Sequence, residues 1–205
     1  LLKWHASRLA CMSQLDVIED LSSLRKFQRK LRARLWKTLG VRYDHSLPLD
    51  VTIYGTIQKE GFRVTKLIYQ SRPGIYVTGL LYEPEGEGTF PAVLQMHGHN
   101  PDGKFGHNPQ FTSMELAKSG YVCLTVDAIG TYERAYTPYS TERHGGFLGA
   151  AVFNIGETLM GQQVVDNMRG VDFLQSLPNV QKDRIGATGA SGGGNQTMWL
   201  SAMDE

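Results

Sequence analysis

The run RIGATGASGGG at 184–194 constrains the fold of this chain more than any other stretch. It predicts an apolar strand at 185–190 that ends in a G-x-S-x-G turn and opens a helix. Such a turn is crowded, so it needs small residues two places before and two places after the serine. Gly189 and Gly193 occupy those places. The turn is therefore expected to expose Ser191 at the junction of a strand and a helix.

Strands and helices alternate along the second half of the chain. The predicted strands are short and almost continuously apolar, whereas the predicted helices carry apolar residues every three or four positions. Strands of this kind belong to a parallel sheet that helices cover on both faces, so we predict an α/β fold. The strands are predicted at 91–96, 121–126 and 185–190, and the helices at 113–119, 161–177 and 195–203.

The first half of the chain has a different pattern. An amphipathic helix is predicted over about 14–39, where apolar residues recur at helical spacing before Gly40. Three segments rich in Val, Ile, Thr and Tyr follow, at 51–58, 62–70 and 75–82, and predict an antiparallel meander. We expect the meander to form the antiparallel N-terminal edge of a mostly parallel sheet.

A single domain over 1–205 is the expected organisation, because 205 residues with 41% hydrophobic residues can bury one sizeable core. It would consist of the N-terminal helix (14–39), the antiparallel strands (51–82) and the parallel α/β part (90–205). An insertion at 128–160 interrupts the last part without periodic pattern. Its aromatic residues are expected to pack against the protein, over the entrance to an active site. They are Tyr132, Tyr136, Tyr139, Phe147 and Phe153.

The charge balance disfavours two classes of partner. Basic residues number 21 against 20 acidic ones, and a net charge of +1 provides no field that attracts nucleic acid or an anionic membrane. No segment has the roughly 18–20 apolar residues of a membrane-spanning helix. The first residues, LLKWHASRLAC, lack the apolar core of a signal peptide. We expect a soluble protein and leave its compartment open, with the bacterial periplasm and secretion as alternatives, and we predict no oligomeric state.

Ser191 is the candidate nucleophile. A serine hydroxyl must be exposed, and must lose its proton to a base, before it attacks an acyl carbon. The helix after the turn directs the amides of its first turn at the reacting centre, so the Gly192 amide is a candidate donor to an oxyanion. A second donor is expected from the loop MHGHN at 96–100, and the His99 amide is our candidate. These two amides would form an oxyanion hole.

A metal site is the competing interpretation of the same loop. His97 and His99, two positions apart, can share a metal ion, but only Asp102 and His107 lie nearby as a third ligand. We predict no metal and no cofactor.

Two further motifs are assigned supporting roles. The HGG segment at 144–146 imitates an oxyanion motif but follows no predicted strand, so it is assigned to a loop. Asp127 ends the strand at 121–126 and is expected to orient loop residues, with Arg134 as a candidate partner. It is not our candidate for the acid of a catalytic triad, because that acid usually follows the nucleophile in the chain.

These segments resemble the α/β-hydrolase esterases of the acetyl xylan esterase and dienelactone-hydrolase-like group, which includes esterase-like proteins of bacterial polysaccharide-utilisation systems. The resemblance covers most of the chain from about residue 40. It is carried by FPAVLQMHGHN, VDAIG, GETL and the segment 183–193, whose G-x-S-x-G turn at 189–193 we call the elbow. It implies an α/β-hydrolase fold, an acylated Ser191, an oxyanion hole of the His99 and Gly192 amides, and ester substrates that include sugar acetates.

One part of the family pattern has no counterpart in the sequence. In that family the triad acid and the general-base histidine follow later strands, whereas all six histidines here precede Ser191. We therefore expect an N-terminal part of a longer protein that lacks the C-terminal strands and is inactive alone. The predicted function is a serine carboxylic-ester hydrolase of acetyl xylan type. The alternatives are a serine peptidase of the prolyl-oligopeptidase kind and a non-catalytic module that binds carbohydrate or a partner.

Overall fold

The structure, a computed structural model, describes residues 18–136 and 146–204. It divides into two compact units, one that ends at Thr38 and one that begins at Leu39. A single domain over 1–205 stays a prediction. In the described ranges, no helix combines the length and the hydropathy that crossing a membrane requires.

Helix α1 spans Leu21–Leu39, so it begins later than the predicted position 14. Residues 14–17 lie outside the described part of the chain, and 18–20 are not helical. The Asp20 carboxylate accepts a hydrogen bond from the Ser23 amide at 2.7 Å, and the Ser23 hydroxyl accepts one from the Asp20 amide at 3.1 Å. This reciprocal cap satisfies two amides at the helix end and explains why α1 begins at Leu21.

The predicted meander is present. It consists of β1 (Thr52–Lys59), β2 (Phe62–Arg72) and β3 (Ile75–Pro84), and each strand pairs antiparallel with the next. The two connections turn at Gly61 and Gly74, whose φ angles of 82° and 72° suit glycine. Strand β3 then pairs antiparallel with a later strand, β5 (Val122–Val126), and joins the meander to the rest of the sheet.

The remaining strands, β4 (Phe90–Met96), β5 (Val122–Val126) and β6 (Val180–Gly189), are parallel to one another. The sheet has the order β1-β2-β3-β5-β4-β6. The helices between and after these strands are α2 (His107–Lys118), α3 (Phe147–Asn154), α4 (Leu159–Ser176) and α5 (Gly192–Met203). The predicted mixed sheet, with parallel strands and an antiparallel N-terminal edge, is confirmed, and three of the five strand pairs among the described residues are antiparallel.

Helices cover the two faces of the central strands. Neighbouring residues of a strand point to opposite faces. On β4, Gln95 accepts a hydrogen bond from Ser113 of α2, whereas a Cβ on Gly170 of α4 would lie 3.3 Å from a methyl of Leu94. All five residues of β5 are buried between these layers. Strand β6 lies at the end of the sheet order and is largely exposed, because one of its edges and part of its surface have no neighbouring strand or helix among the described residues.

The insertion at 128–160 has more structure than predicted. It contains a short 3-10 turn at Tyr132–Arg134 and the helix α3. Phe147 and Phe153 are largely exposed, with exposed fractions of 79% and 73%, although the Phe147 ring lies 6.3 Å from the Tyr136 ring between centroids. The Tyr132 ring does contact Phe105, with 5.1 Å between ring centroids. Tyr139 and the HGG motif residues 144 and 145 lie outside the described residues.

Candidate active site

Ser191 lies at the junction between β6 and α5, where the chain turns sharply. Its φ of 55° and ψ of −118° fall outside the regions that a non-glycine residue usually occupies. The side chain is exposed, and its hydroxyl has no hydrogen-bond partner among the described residues. Backbone strain of this kind is costly and is concentrated at functional sites, so the turn presents an accessible hydroxyl at a position that the fold holds under strain.

The glycines on either side of Ser191 permit this turn. A Cβ on Gly189 would lie 2.5 Å from the carbonyl carbon of Gly193, and a Cβ on Gly193 would lie 2.0 Å from the carbonyl oxygen of Met96. The obstructing atoms belong to the backbone, so no side-chain movement can relieve the clash. The crowding that the G-x-S-x-G spacing predicts is thus present in the structure.

The loop after β4 approaches the elbow through Gly98. A Cβ on Gly98 would lie 2.9 Å from the carbonyl oxygen of Ala190 and 3.2 Å from the Cβ of Ser191. His99 follows, and its ring lies against Gly192: a Cβ on Gly192 would be 3.0 Å from His99 Cε1. Neither the His99 amide nor the Gly192 amide donates to an acceptor within the described ranges. The structure therefore brings His99 and Gly192, the residues that carry the two candidate oxyanion donors, into contact at the turn that holds Ser191.

His97 is buried, and both of its ring nitrogens are engaged. Nδ1 lies 2.7 Å from the carbonyl oxygen of Gly98, and Nε2 lies 3.2 Å from the amide nitrogen of Ala128. Burial lowers the pKa of His97 below its usual value, although the hydrogen bond to Gly98 and the charge of Asp127 oppose this shift. The lowered pKa favours the neutral form of the imidazole.

These contacts leave His97 without a free lone pair for a metal ion. A carbonyl oxygen can only accept, so Nδ1 carries the proton, and Nε2 accepts from the Ala128 amide. Over 18–136 and 146–204, no three His, Cys, Asp or Glu side chains are placed to hold a metal together. The geometry gives no support to His97 and His99 as metal ligands.

The carboxylate of Asp127 is completely buried and pairs with Lys104, a residue that the sequence did not single out. Its oxygens accept hydrogen bonds from the Lys104 amide and the Thr78 hydroxyl, each at 2.8 Å, and from the Lys104 ammonium. The same ammonium donates to Glu133 at 2.5 Å. Arg134 donates to the backbone carbonyl of Asp127 at 3.0 Å instead of to its carboxylate. Asp127 thus ties the loop after β4 to the end of β5.

A cavity of about 420 Å³ opens beside Ser191. Its polar lining includes the side chains or backbone of Gln95, His97, His99, Asn100, Asn108, Thr112 and Thr188. A larger cavity of about 710 Å³ lies elsewhere, against β1, β2 and the end of α4, and Ser191 is not part of its lining. We take the smaller cavity as the candidate substrate site because it contains the exposed hydroxyl.

Comparisons with known proteins place this fold and sequence in context. YtaP of Bacillus subtilis (strain 168), assigned as a hydrolase, is 30% identical in an alignment 190 residues long that covers 85% of this chain and 60% of YtaP. YuxL of the same organism, named an uncharacterized peptidase, is 31% identical in an alignment 136 residues long that covers 64% of this chain and 19% of YuxL. The solved structure of BF1801 from Bacteroides fragilis NCTC 9343, assigned as an acetyl xylan esterase, matches with a TM-score of 0.75 at 20% identity.

The BF1801 match covers 89% of this chain and 51% of that one, so the chain spans 60% or less of the length of each of these proteins. The structural likeness confirms the predicted α/β-hydrolase fold. The sequence of residues 41–205 also matches the acetyl xylan esterase (AXE1) family, in agreement with the resemblance inferred from the motifs. Since that match takes in every strand of the sheet as well as the elbow, the chain belongs to the acetyl xylan esterase (AXE1) family.

Proposed function

We propose that this protein is a serine carboxylic-ester hydrolase that acts on carbohydrate esters of the acetyl xylan type. The position of Ser191 carries the proposal: its hydroxyl is exposed at a strained turn, and Gly98 of the neighbouring loop approaches it closely. Family membership supports an ester as the bond that is cleaved. The polar lining of the adjacent cavity suits a hydroxyl-rich substrate.

In the proposed reaction, Ser191 Oγ attacks the carbonyl carbon of the ester and the alcohol leaves with a proton. The acyl group stays on Ser191 until water releases it as a carboxylic acid. The negative charge of each tetrahedral intermediate is stabilised by the amides of His99 and Gly192. Gly189 and Gly193 allow the turn that holds Ser191 in this position.

The first step requires a general base for the proton of Ser191, and the second step requires one for the proton of the attacking water. His97 does not qualify, because its two nitrogens are engaged in the fold. His45 and His107 do not line the cavity beside Ser191. We therefore assign the base to none of these three side chains.

Replacement of the nucleophile tests the proposal. In the full-length protein, Ser191→Ala is expected to lower the kcat/KM for p-nitrophenyl acetate by about 10⁴-fold or more, because no other group takes over acyl transfer. Ser201→Ala is the matched control: Ser201 is an exposed serine of α5, the helix that follows Ser191, and its hydroxyl donates to the Thr197 carbonyl. Retained turnover in Ser191→Ala, or an equal loss in Ser201→Ala, contradicts the assignment.

A serine peptidase is the second candidate, and the identity to YuxL favours it. Its chemistry would use the same elbow and the same two amides, so the site geometry does not separate the two functions. Only a comparison of the turnover of ester and peptide substrates distinguishes the two functions.

A further inference from the structure

We infer that His97 is a positioning residue that fixes the direction of the peptide between Gly98 and His99, and thereby aims the His99 amide at the oxyanion. The inference rests on the proposed function and deepens it. His97 does not touch the reacting atoms in this account. It acts through the backbone that follows it.

The first step of the argument is the carbonyl of Gly98. It accepts two hydrogen bonds, one from His97 Nδ1 at 2.7 Å and one from the Asn100 amide at 2.8 Å. Gly98 has no Cβ, so its backbone can also pass close to Ala190 and Ser191. The peptide group is therefore held at its oxygen by a buried side chain.

The second step follows from peptide geometry. A trans peptide is planar, and its C=O and N–H point in opposite directions. The described chain contains no cis peptide bond. Fixing the Gly98 oxygen toward His97 therefore directs the His99 N–H away from His97, and this amide has no acceptor among the described residues. Rotation of the peptide would instead turn a carbonyl oxygen toward the negative charge that forms on the substrate.

The third step concerns what holds His97 itself. Nε2 accepts a hydrogen bond from the Ala128 amide at 3.2 Å, so this nitrogen cannot carry the proton. The proton must then sit on Nδ1, where it is donated to Gly98. Asp127 Oδ1 lies 3.6 Å from Nε2 but is already bonded to the Lys104 amide. The end of β5 thus selects the tautomer that the loop after β4 requires.

Two substitutions of His97 separate its two hydrogen bonds. In His97→Asn, the amide nitrogen can take the place of Nδ1 and keep the donor to Gly98. In His97→Gln, the longer side chain reaches toward Ala128 and loses that donor. We expect His97→Gln to lower kcat for p-nitrophenyl acetate by about 10²–10³-fold, as for loss of an oxyanion donor. KM should change by less than about threefold, because the oxyanion exists only in the transition state.

Rescue distinguishes positioning from a general packing role. The kcat of His97→Asn should be at least about tenfold higher than the kcat of His97→Gln, because the asparagine restores the hydrogen-bond donor to Gly98. A trifluoromethyl ketone, which forms a tetrahedral adduct with serine, should lose affinity in parallel with kcat. Equal kcat values in the two variants, or a kcat of His97→Gln at the wild-type level, overturn the inference.

A measurement on the unsubstituted protein avoids any effect of these variants on folding. The ¹⁵N chemical shifts of the His97 ring should show a protonated Nδ1 and an unprotonated Nε2 at neutral pH. A proton on Nε2 overturns the inference.

The failure of the proposed function would look different. If the full-length protein does not hydrolyse the ester, or if Ser191→Ala retains activity, the proposed function fails. If Ser191→Ala is inactive and His97→Gln is normal, only the inference about His97 fails.

Discussion

At the scale of the residue, the elbow combines a strained serine with two glycines whose surroundings leave no room for a Cβ atom. Ser191 has a positive φ, and Gly193 approaches the Met96 carbonyl so closely that a Cβ would overlap it. The spacing of these residues predicts the crowding, because steric exclusion depends on residue size alone. The partners of His97 could not be predicted, since Ala128 is distant in sequence and belongs to another strand end.

Two neighbouring glycines provide a matched pair for this crowding. Gly193→Ala is expected to lower the free energy of unfolding by about 1–3 kcal/mol through overpacking and to reduce ester hydrolysis, because the backbone at Ser191 must move. In Gly194→Ala the new methyl has an ordinary contact of 3.4 Å, and alanine favours a helix by about 0.5–1 kcal/mol. Urea unfolding and turnover of both variants test this. Equal stability of the two variants would contradict the crowding argument.

The burial of His97 also predicts a dependence of stability on pH. Burial lowers its pKa in the folded state, so the unfolded chain binds the proton more readily near its usual pKa of about 6.5. The contribution of His97 to the free energy of unfolding should therefore be complete above about pH 6.5. Below that pH the free energy of unfolding should fall as the pH decreases, by up to about 1.4 kcal/mol per pH unit. When urea unfolding is measured between about pH 5 and 7, the free energy of unfolding should change less with pH in His97→Asn than in the unsubstituted protein. An equal change with pH in both proteins would contradict this prediction.

At the scale of the element, the loop after β4 is held by a buried ion pair. Lys104 and Asp127 have exposed fractions of 1% and 0%, and their contact joins this loop to the end of β5. A lysine in a glycine-rich loop has the pattern of a solvated residue, so no sequence pattern indicates this pair. The helix and strand positions were predictable because apolar periodicity reports burial, whereas a single buried charge leaves no period.

Removing one member of this pair should be costly. Lys104→Met leaves the Asp127 carboxylate buried without its cation, and we expect the free energy of unfolding to fall by about 3–5 kcal/mol. Lys182→Met, at an exposed position of β6, should change it by less than about 0.5 kcal/mol. Urea unfolding of both variants measures the difference. A cost for Lys104→Met as small as that for Lys182→Met would show that the pair does not stabilise the loop.

At the scale of the whole molecule, strand alternation predicts the mixed sheet and the motifs predict the family. The pattern did not predict the helix α3 in the insertion, because a segment with apolar residues on all sides has no helical period. The sequence motifs also do not predict the substrate class, because esterases and peptidases of this fold would share the same elbow. The chain spans 51% of BF1801 and 60% of YtaP.

Substrate comparison separates the two candidate functions. The proposed esterase should release acetate from acetylated xylo-oligosaccharides with a kcat/KM at least about 10²-fold above that for a prolyl p-nitroanilide peptide, because an enzyme discriminates through contacts made in the transition state. Both rates should depend on Ser191. Preference for the peptide would favour the second candidate and leave the elbow assignment intact.

Ser191 is proposed to carry the acyl group, and this intermediate can be trapped chemically. The full-length protein is mixed with p-nitrophenyl acetate, quenched in acid within the first turnovers, digested and analysed by mass spectrometry. We predict one acetyl group on the peptide that contains Ser191, and none on the corresponding peptide of Ser191→Ala. Acetylation that maps to another residue, or that persists in Ser191→Ala, would contradict the claim.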